Sequence, residues 1–284
     1  MRNVFIPQTL NELWQILEEK PHSALYAGGT DLYVKLRQGL VDPSCLVCLE
    51  RIEELKGVQE SGHEVFIGAC STHAYLLGNP IIQSHFPVLT KAFKLLGSPA
   101  IRNMGTIGGN ICTASPAADS LPPLYVLDAE AEVRSKDISR RRTLKEFILG
   151  PGKTSLQTGE IVSGIWVKKA PKYNLHHFEK VGQRKALAIS IASLAGLLRV
   201  SENGVIEEAR LAWGSVGPTI ITSPDVEKAL VGNLLSRPVL EEAACLARNA
   251  VQPIDDIRAS GDYRRLVSGN LMLRLLTHQR EVCH

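Results

Sequence analysis

The N-terminal part of the chain alternates between one helical pattern and several strand-like patterns of apolar positions. Apolar residues recur at three- and four-residue spacing over residues 10–17, which predicts an amphipathic helix. Thr9, followed three residues later by Glu12, has the form of a capping box at the start of that helix. A short strand over residues 23–27 and a helix over residues 31–38 follow.

Similar patterns continue along the chain, and together they predict an α+β fold. Strands are expected at 46–49, 65–68, 129–134, 161–167, 176–180, within the apolar run 186–200, and at 208–213. Helices are expected near residue 72 and at 87–96, 144–148, 224–231 and 239–248. The later segments have the order of a strand meander backed by helices. Ala170-Pro-Lys-Tyr173 is the best boundary, so the sequence predicts domains at 1–172 and 173–284.

Two glycine pairs, Gly28-Gly29 and Gly108-Gly109, stand out from these patterns. A residue without a side chain lets the backbone come close to a bulky anion, and the N-terminus of a following helix supplies unpaired N–H groups and a favourable dipole. Two such corners in one chain indicate one ligand with more than one phosphate, which points to a dinucleotide. No G-x-G-x-x-G motif follows a predicted strand, so the pattern is not that of a Rossmann unit.

The composition is that of a soluble globular protein rather than of a nucleic-acid-binding or membrane protein. The 284 residues are 44% hydrophobic and carry a formal net charge of +3, too small to argue for nucleic acid as a partner. The one basic run, Arg140-Arg-Arg142, is interpreted as a solvated turn. No stretch approaches the roughly 18 uninterrupted apolar residues of a membrane span, so we expect a cytoplasmic protein.

The spacing of cysteines and histidines predicts no metal site in this chain. The six cysteines are scattered, and Cys45-x-x-Cys48 lies in an apolar run that predicts a buried strand. An iron–sulfur cluster needs about four thiolates in a defined spacing, and no such spacing occurs here. No arrangement of residues for nucleophilic catalysis stands out either.

Two segments together resemble a known family. Ala27-Gly-Gly-Thr-Asp31 and the longer run Ile-Arg-Asn-x-Gly-Thr-Ile-Gly-Gly-Asn-Ile-x-x-Ala-Ser-Pro-x-x-Asp, from Ile101 to Asp119, resemble the FAD-binding subunit of the molybdenum hydroxylases. That family includes xanthine dehydrogenases, aldehyde oxidoreductases and aerobic carbon monoxide dehydrogenases. The resemblance extends from the N-terminus to near residue 275. It implies a two-part FAD-binding domain of the PCMH type followed by a smaller C-terminal domain with an antiparallel sheet and helices.

The resemblance also implies a set of FAD-binding residues. The diphosphate loops would be formed by Ala27, Gly28, Gly29, Thr30 and Asp31 and by Thr106, Ile107, Gly108, Gly109 and Asn110. The other implied contacts are Thr113 near the flavin ring, Asp119 on ribityl or ribose hydroxyls, Ile161 and Val162 beside the adenine or the ring, and Lys180, which reaches the FAD. Arg102 is a further candidate, as a counter-charge to the diphosphate. The FAD would be non-covalent, because no His or Cys stands at a linking position in the first loop.

Three of these residues also have structural interpretations. We expect Asp31 to cap the helix that follows it, because an uncompensated carboxylate would repel a diphosphate. Asp119 is alternatively a helix cap after Ser115-Pro116, and Lys180 is alternatively an exposed strand lysine.

The function that the resemblance implies is electron transfer within a larger enzyme. The FAD subunit would receive electrons from the [2Fe-2S] clusters of an iron–sulfur subunit and pass them to NAD, oxygen or another acceptor. A molybdenum-cofactor subunit would hydroxylate the substrate, in a heterotrimer or its dimer. A xanthine dehydrogenase-like enzyme of purine metabolism is preferred, because the run from Gly108 to Pro116 is most similar to that branch. A self-contained FAD oxidoreductase of the wider PCMH family and a non-enzymatic nucleotide-binding module remain open alternatives.

Overall fold

Short strands and helices follow one another along the whole described chain. The computed structural model describes residues 2–169, 172–184 and 186–278, so Ala170 and Pro171 at the predicted boundary lie outside the described residues. The strands are β1 (Asn3–Phe5), β2 (Ala24–Tyr26), β3 (Cys45–Cys48), β4 (Val58–Ser61), β5 (Glu64–Gly68), β6 (Glu130–Arg134), β7 (Ser139–Thr143), β8 (Ile148–Gly150), β9 (Lys153–Thr154), β10 (Ile161–Lys168), β11 (Leu175–Val181), β12 (Ala192–Val200) and β13 (Ile206–Gly214). The helices are α1 (Leu10–Glu19), α2 (Leu32–Arg37), α3 (His73–Gly78), α4 (Pro80–His85), α5 (Pro87–Leu95), α6 (Pro99–Met104), α7 (Ile107–Thr113), α8 (Leu121–Val126), α9 (Leu144–Phe147), α10 (Pro224–Leu230), α11 (Arg237–Ala250) and α12 (Gly261–Met272).

The chain forms two compact units, and each unit is built from three stretches of sequence. The first unit consists of Met1–Ile81, Ser98–Ala114 and Asp128–Lys169, and the second of Ile82–Gly97, Ser115–Leu127 and Ala170–His284. The last change of unit falls after Lys169. The domain division predicted at residue 172 stays a prediction. Among the described helices, none has the length and apolar character needed to cross a membrane.

The first unit begins with a small parallel sheet covered by α1. The strand order is β1-β3-β2, with both pairings parallel. Thr9 Oγ1 accepts a hydrogen bond from the Glu12 N–H at 3.2 Å, and the apolar face of α1 is buried in one cluster with residues of β3. Cys45 and Cys48 lie on β3 and are buried. The sequence predictions of a capped helix and of a buried structural strand are confirmed.

A five-stranded antiparallel sheet forms the second half of this unit, in the order β4-β5-β10-β6-β7. The register of β10 against β6 shifts between Val162 and Gly164. At this irregularity the Ser163 carbonyl accepts a hydrogen bond from the Ala69 N–H at 3.0 Å. Ala69 O in turn accepts from the Gly108 N–H at 2.9 Å. The sheet thereby fixes the position of the second glycine pair.

The basic run lies on the edge strand β7, so its interpretation as a solvated turn is wrong. Arg140 forms a bidentate ion pair with Glu160, in which Nη2 and Oε2 are 2.9 Å apart. The Arg141 guanidinium lies over the Trp166 ring, 3.9 Å from its centroid, and pairs with Glu64 at 2.9 Å. These charges form ion pairs across the sheet, and an edge strand with charged side chains resists pairing with other chains.

The second unit is built around the antiparallel sheet β11-β12-β13. Its core combines this sheet with α10, α11 and α12, and Trp213 is fully buried there. α5 and α8, which come from the earlier stretches of sequence, also contact this sheet. The predicted meander backed by helices is confirmed.

The sequence patterns did not predict α12, because much of the buried surface of this helix is polar or glycine. Its buried residues include Arg264, Ser268 and Gly269. Arg264 is only 2% exposed. Its guanidinium donates to the carbonyls of Ile191 (2.8 Å) and Ser215 (3.0 Å). Its charge is compensated by Asp256, whose Oδ1 lies 2.6 Å from Arg264 Nη2, and a buried arginine held in this way leaves no apolar periodicity in the sequence.

Candidate functional site

The first glycine loop, Ala27 to Asp31, joins β2 to α2 and packs directly against the second motif. A Cβ atom at Gly28 would lie 1.6 Å from the Met104 carbonyl oxygen, so only glycine fits there. Gly29 has φ +68°, which is the left-handed region that favours glycine. The side chain of Thr30 is also close to the second motif, since its Oγ1 would lie 3.5 Å from a Cβ atom at Gly105. The two glycine motifs thus form one continuous surface in the first unit.

The second glycine pair lies in the first turn of α7 rather than at a corner of the chain. Thr106 is the N-cap of α7, and its Oγ1 accepts from the Gly109 N–H at 3.2 Å. A Cβ atom at Gly108 would lie 2.5 Å from the Ala69 Cβ, so Gly108 is required for packing. Among the described residues, a Cβ atom at Gly109 would meet Thr106 Oγ1 alone, at 2.9 Å. Gly109 therefore faces space that a ligand could fill.

The two loops differ in the N–H groups that they offer to an anion. In the second loop the N–H of Ile107 donates to Ser71 O at 3.1 Å and that of Gly108 to Ala69 O. The expectation of unpaired N–H groups is therefore wrong for this loop. In the first loop the N–H groups of Gly29, Thr30 and Asp31 donate to no acceptor in the part of the chain that the structure describes. The first loop is the better candidate for binding a phosphate through its main chain.

Asp31 occupies the N-cap position of α2, but its side chain makes no capping hydrogen bond, contrary to the sequence expectation. Its backbone is already helical, with φ −99° and ψ −48°, whereas an N-cap residue whose side chain accepts from the helix is usually extended. The carboxylate instead accepts a hydrogen bond from Thr113 Oγ1 at 3.3 Å. Its Oδ2 also lies 2.7 Å from Lys35 Nζ. The Thr113–Asp31 contact joins the end of α7 to the start of α2.

Asp119 and Lys180 lie together in the second unit. Lys180 Nζ is 2.6 Å from Asp119 Oδ2 and also donates to Ala188 O at 3.0 Å. Both side chains are 8% exposed, so the interpretation of Lys180 as an exposed strand lysine is wrong. The interpretation of Asp119 as a helix cap is also wrong, because Ser120 occupies the N-cap position of α8.

The chemistry of Asp119 suits a ligand with hydroxyl groups. Burial raises the pKa of the carboxyl group to about 6, although the charge and the hydrogen bond of Lys180 act in the opposite direction. The Oδ1 atom is buried and has no hydrogen-bond partner among the described residues. A buried acceptor without a partner is costly, so it favours a ligand that supplies a donor.

The remaining predicted residues lie partly in the core of the first unit and partly near its surface. Ile161 and Val162 are on β10, 2% and 4% exposed, and Ile161 belongs to the core cluster that contains α1. Ala27 packs against the same cluster. Arg102 lies on α6, and burial together with the charge of Arg102 lowers the pKa of His73 to about 4. The contacts of these residues with a cofactor stay predictions.

Lys35 was missed by the sequence analysis, although a signal was present. Asp31 and Lys35 are four residues apart at the start of a predicted helix, which is the spacing of an intrahelical ion pair. Met104, whose carbonyl oxygen excludes any side chain at Gly28, carries no such signal. Contacts through a backbone carbonyl do not depend on residue type.

Comparisons with known proteins identify the family of both parts of the chain. Residues 1–168 match the model of the FAD binding domain in molybdopterin dehydrogenase, and residues 177–279 that of the CO dehydrogenase flavoprotein C-terminal domain. The chain is 34% identical over 260 residues to the putative xanthine dehydrogenase FAD-binding subunit of Escherichia coli (strain K12), with 90% of this chain and 88% of the relative covered. It is 30% identical over 266 residues to the nicotinate dehydrogenase FAD-subunit of Eubacterium barkeri, with 92% and 90% covered. The structure of the carbon monoxide dehydrogenase from Hydrogenophaga pseudoflava that lacks the Mo-pyranopterin moiety of its molybdenum cofactor matches with a TM-score of 0.91 and 28% identity, with 97% of this chain and 96% of that chain covered.

The fold and these matches define an FAD-binding oxidoreductase subunit. The chain belongs to the family of FAD-binding domains in molybdopterin dehydrogenases, as an FAD subunit of the molybdenum hydroxylases. This confirms the resemblance, the α+β fold in two parts, and FAD as the cofactor.

Proposed function

We propose that this chain binds FAD and transfers electrons in a xanthine dehydrogenase-like enzyme. It receives them from the [2Fe-2S] clusters of an iron–sulfur subunit and passes them to NAD or another acceptor. The observation that carries the proposal is the first glycine loop: three of its N–H groups have no acceptor among the described residues, and the loop is packed against the second glycine motif. Such a loop suits the diphosphate of a dinucleotide.

The described residues fit FAD in several respects. The first loop offers main-chain N–H groups, and the open side of Gly109 leaves space next to Thr106 and Asn110. Thr113 is held by Asp31 at the junction of the two loops. In the second unit, Asp119 Oδ1 has no hydrogen-bond partner among the described residues and would accept a hydrogen bond from a ribityl or ribose hydroxyl, while Lys180 would hold that carboxylate in place. Bound FAD supplies the redox chemistry, and the chain positions it and tunes it.

The names of the relatives support a proposal for the partners and the substrate. Those relatives are named as FAD subunits of a putative xanthine dehydrogenase and of a nicotinate dehydrogenase, and the matching structure is that of a carbon monoxide dehydrogenase whose molybdenum cofactor lacks its Mo-pyranopterin moiety. We propose a molybdenum-cofactor subunit and an iron–sulfur subunit as partners, in a heterotrimer or its dimer. Xanthine or a related N-heterocycle is the proposed substrate, supported by 34% identity to the xanthine dehydrogenase relative against 30% to the nicotinate relative.

The proposed location is the cytoplasm. Five cysteines, Cys45, Cys48, Cys70, Cys112 and Cys245, are free thiols in the described chain. Free thiols are typical of proteins that work in a reducing compartment.

Flavin reduction in the assembled complex tests the proposal. The three subunits are purified together, made anaerobic and mixed with xanthine, nicotinate or carbon monoxide, while flavin absorbance is followed. Xanthine should bleach the flavin in the complex but not in the isolated chain, whose flavin should still accept electrons from dithionite. Bleaching by nicotinate or carbon monoxide instead would support the role as an electron-transfer subunit and would reject xanthine as the substrate. Rapid reduction of the isolated chain by a heterocycle, on the order of 1 per second or more, would favour a self-contained oxidoreductase. Purified chain without bound flavin would reject the FAD function itself.

A further inference from the structure

We infer that Lys35 is a positioning residue of the FAD diphosphate site, which acts by neutralising Asp31. The inference rests on the proposed function, because it concerns the loop that would bind the diphosphate. Lys35 Nζ lies 2.7 Å from Asp31 Oδ2, and Thr113 Oγ1 donates to the same oxygen at 3.3 Å. Lys35 therefore contacts the carboxylate of Asp31. The same carboxylate binds the Thr113 hydroxyl, which joins the two glycine motifs.

The first glycine loop needs this neutralisation because it combines two opposed features. The N–H groups of Gly29 and Thr30 have no acceptors in the described chain and favour an anion. The next residue, Asp31, carries a negative charge that repels an anion. Asp31 does not direct this charge onto the N-terminus of α2, because its side chain makes no capping hydrogen bond. Among the described residues, Lys35 is the cation that pairs with this carboxylate, so the loop keeps its preference for a diphosphate.

The exposure of the pair indicates that its main effect is on local charge. The side chains of Lys35 and Asp31 are 39% and 45% exposed. Ion pairs with this much solvent contact contribute little to the free energy of unfolding. An anion bound to the adjacent N–H groups, in contrast, would interact at short distance with the charge of Asp31 and with that of Lys35. Loss of Lys35 should therefore reduce ligand affinity much more than it reduces stability.

The test starts from the full chain freed of FAD. FAD is titrated into the chain, and binding is measured as the quenching of flavin fluorescence. Lys35→Ala should raise the Kd about fivefold to tenfold, because Asp31 then repels the diphosphate. Lys35→Arg should restore the affinity, because it restores the positive charge. Arg37→Ala is the matched control: Arg37 is an exposed cation in the last turn of the same helix, and it should leave the Kd within twofold. Thermal unfolding should be unchanged in all three variants.

Two further measurements distinguish neutralisation from other roles of Lys35. The double variant Asp31→Asn with Lys35→Ala should bind FAD nearly as well as the wild type, because no uncompensated carboxylate remains. The deficit of Lys35→Ala should also shrink as salt is added, since salt screens the repulsion.

Several outcomes would overturn the inference. A double variant as weak as Lys35→Ala would mean that Lys35 contacts the ligand itself. An unchanged Kd for Lys35→Ala would mean that the residue has no part in binding. A large loss of thermal stability in Lys35→Ala would assign it to folding. If the wild-type chain binds no FAD, the proposed function fails, and this inference fails with it.

Discussion

Lys180 and Asp119 form a buried ion pair, with Nζ 2.6 Å from Oδ2 and both side chains 8% exposed. Each residue was assigned to the cofactor separately on sequence grounds. Their pairing changes the expected electrostatics, because the carboxylate offsets the positive charge of the lysine. A ligand at this position meets a neutral pair with one carboxylate oxygen still able to accept a hydrogen bond.

Breaking this pair should destabilise the protein strongly. Lys180→Ala leaves Asp119 as a buried charge without its partner, and we expect the free energy of unfolding to fall by about 3–5 kcal/mol. The double variant Lys180→Ala with Asp119→Asn should lose less, because it leaves no unpaired charge. Denaturant unfolding of the wild type and the variants measures this coupling. Additive effects of the two substitutions would contradict the pairing.

The pair should also make stability depend on pH in a defined window. Burial raises the pKa of Asp119 from 3.8 to about 6, so the folded state binds this proton more tightly than the unfolded state. The resulting stabilisation is present below the unfolded pKa near 4 and is lost as pH rises through about 6. The loss is about 3 kcal/mol at ~1.36 kcal/mol per pKa unit.

Asp119→Asn is the control for that window, since the variant has no carboxyl group to titrate. The difference in the free energy of unfolding between wild type and variant should change between pH 4 and pH 6 and be flat above about pH 7. A flat difference across the whole range would show that the folded-state pKa is not raised.

Neighbouring glycines of α7 should respond differently to substitution. Gly109→Val should abolish FAD binding with little loss of secondary structure, because in the described chain Thr106 Oγ1 alone limits the space there and the added side chain would fill the place proposed for the ligand. Gly108→Ala should instead destabilise the fold, because its Cβ would lie 2.5 Å from the Ala69 Cβ. Flavin content, circular dichroism and thermal unfolding measure both effects. Gly78→Val is the control, since a Cβ atom there meets no described residue within 4 Å. Normal flavin content in Gly109→Val would refute the placement of the ligand beside this loop.

The FAD should be released intact by acid or heat. The first loop, Ala27 to Asp31, contains no His or Cys that could form a covalent link. Precipitation of the holoprotein with acid, followed by chromatography of the supernatant, should recover FAD in full. Flavin that stays with the precipitated chain would refute non-covalent binding, and a known covalent flavoprotein treated in parallel serves as the control.

The sequence predicted the elements whose signals are local. Thr9 and Glu12 mark the start of α1, and the alternation or continuity of apolar residues marks β3, β10 and the meander of the second unit. These features depend on the spacing of residues along one element, so a single sequence reveals them. The glycine pairs were also visible, because glycine is distinctive.

The reasons for those glycines were not visible, because they depend on contacts distant in sequence. Gly28 is fixed by the Met104 carbonyl and Gly108 by Ala69, so both serve packing as well as any ligand. Asp31 was expected to act locally as a cap but bonds to Thr113 in another helix. Pairings of this kind carry no periodic signal, and only the folded chain shows them.

The interleaving of the two units has a consequence for synthesis of the chain. α5 and α8 leave the ribosome well before the strands that they contact, and Lys91 of α5 donates to the carbonyl of His176 on β11 at 2.7 Å. Until those strands emerge, two helices of the N-terminal half have no partner for the faces that pack on β11 and on β13. A nascent chain stopped near residue 172 would therefore expose apolar surface, and such surface makes partly synthesised proteins prone to aggregate and attractive to chaperones.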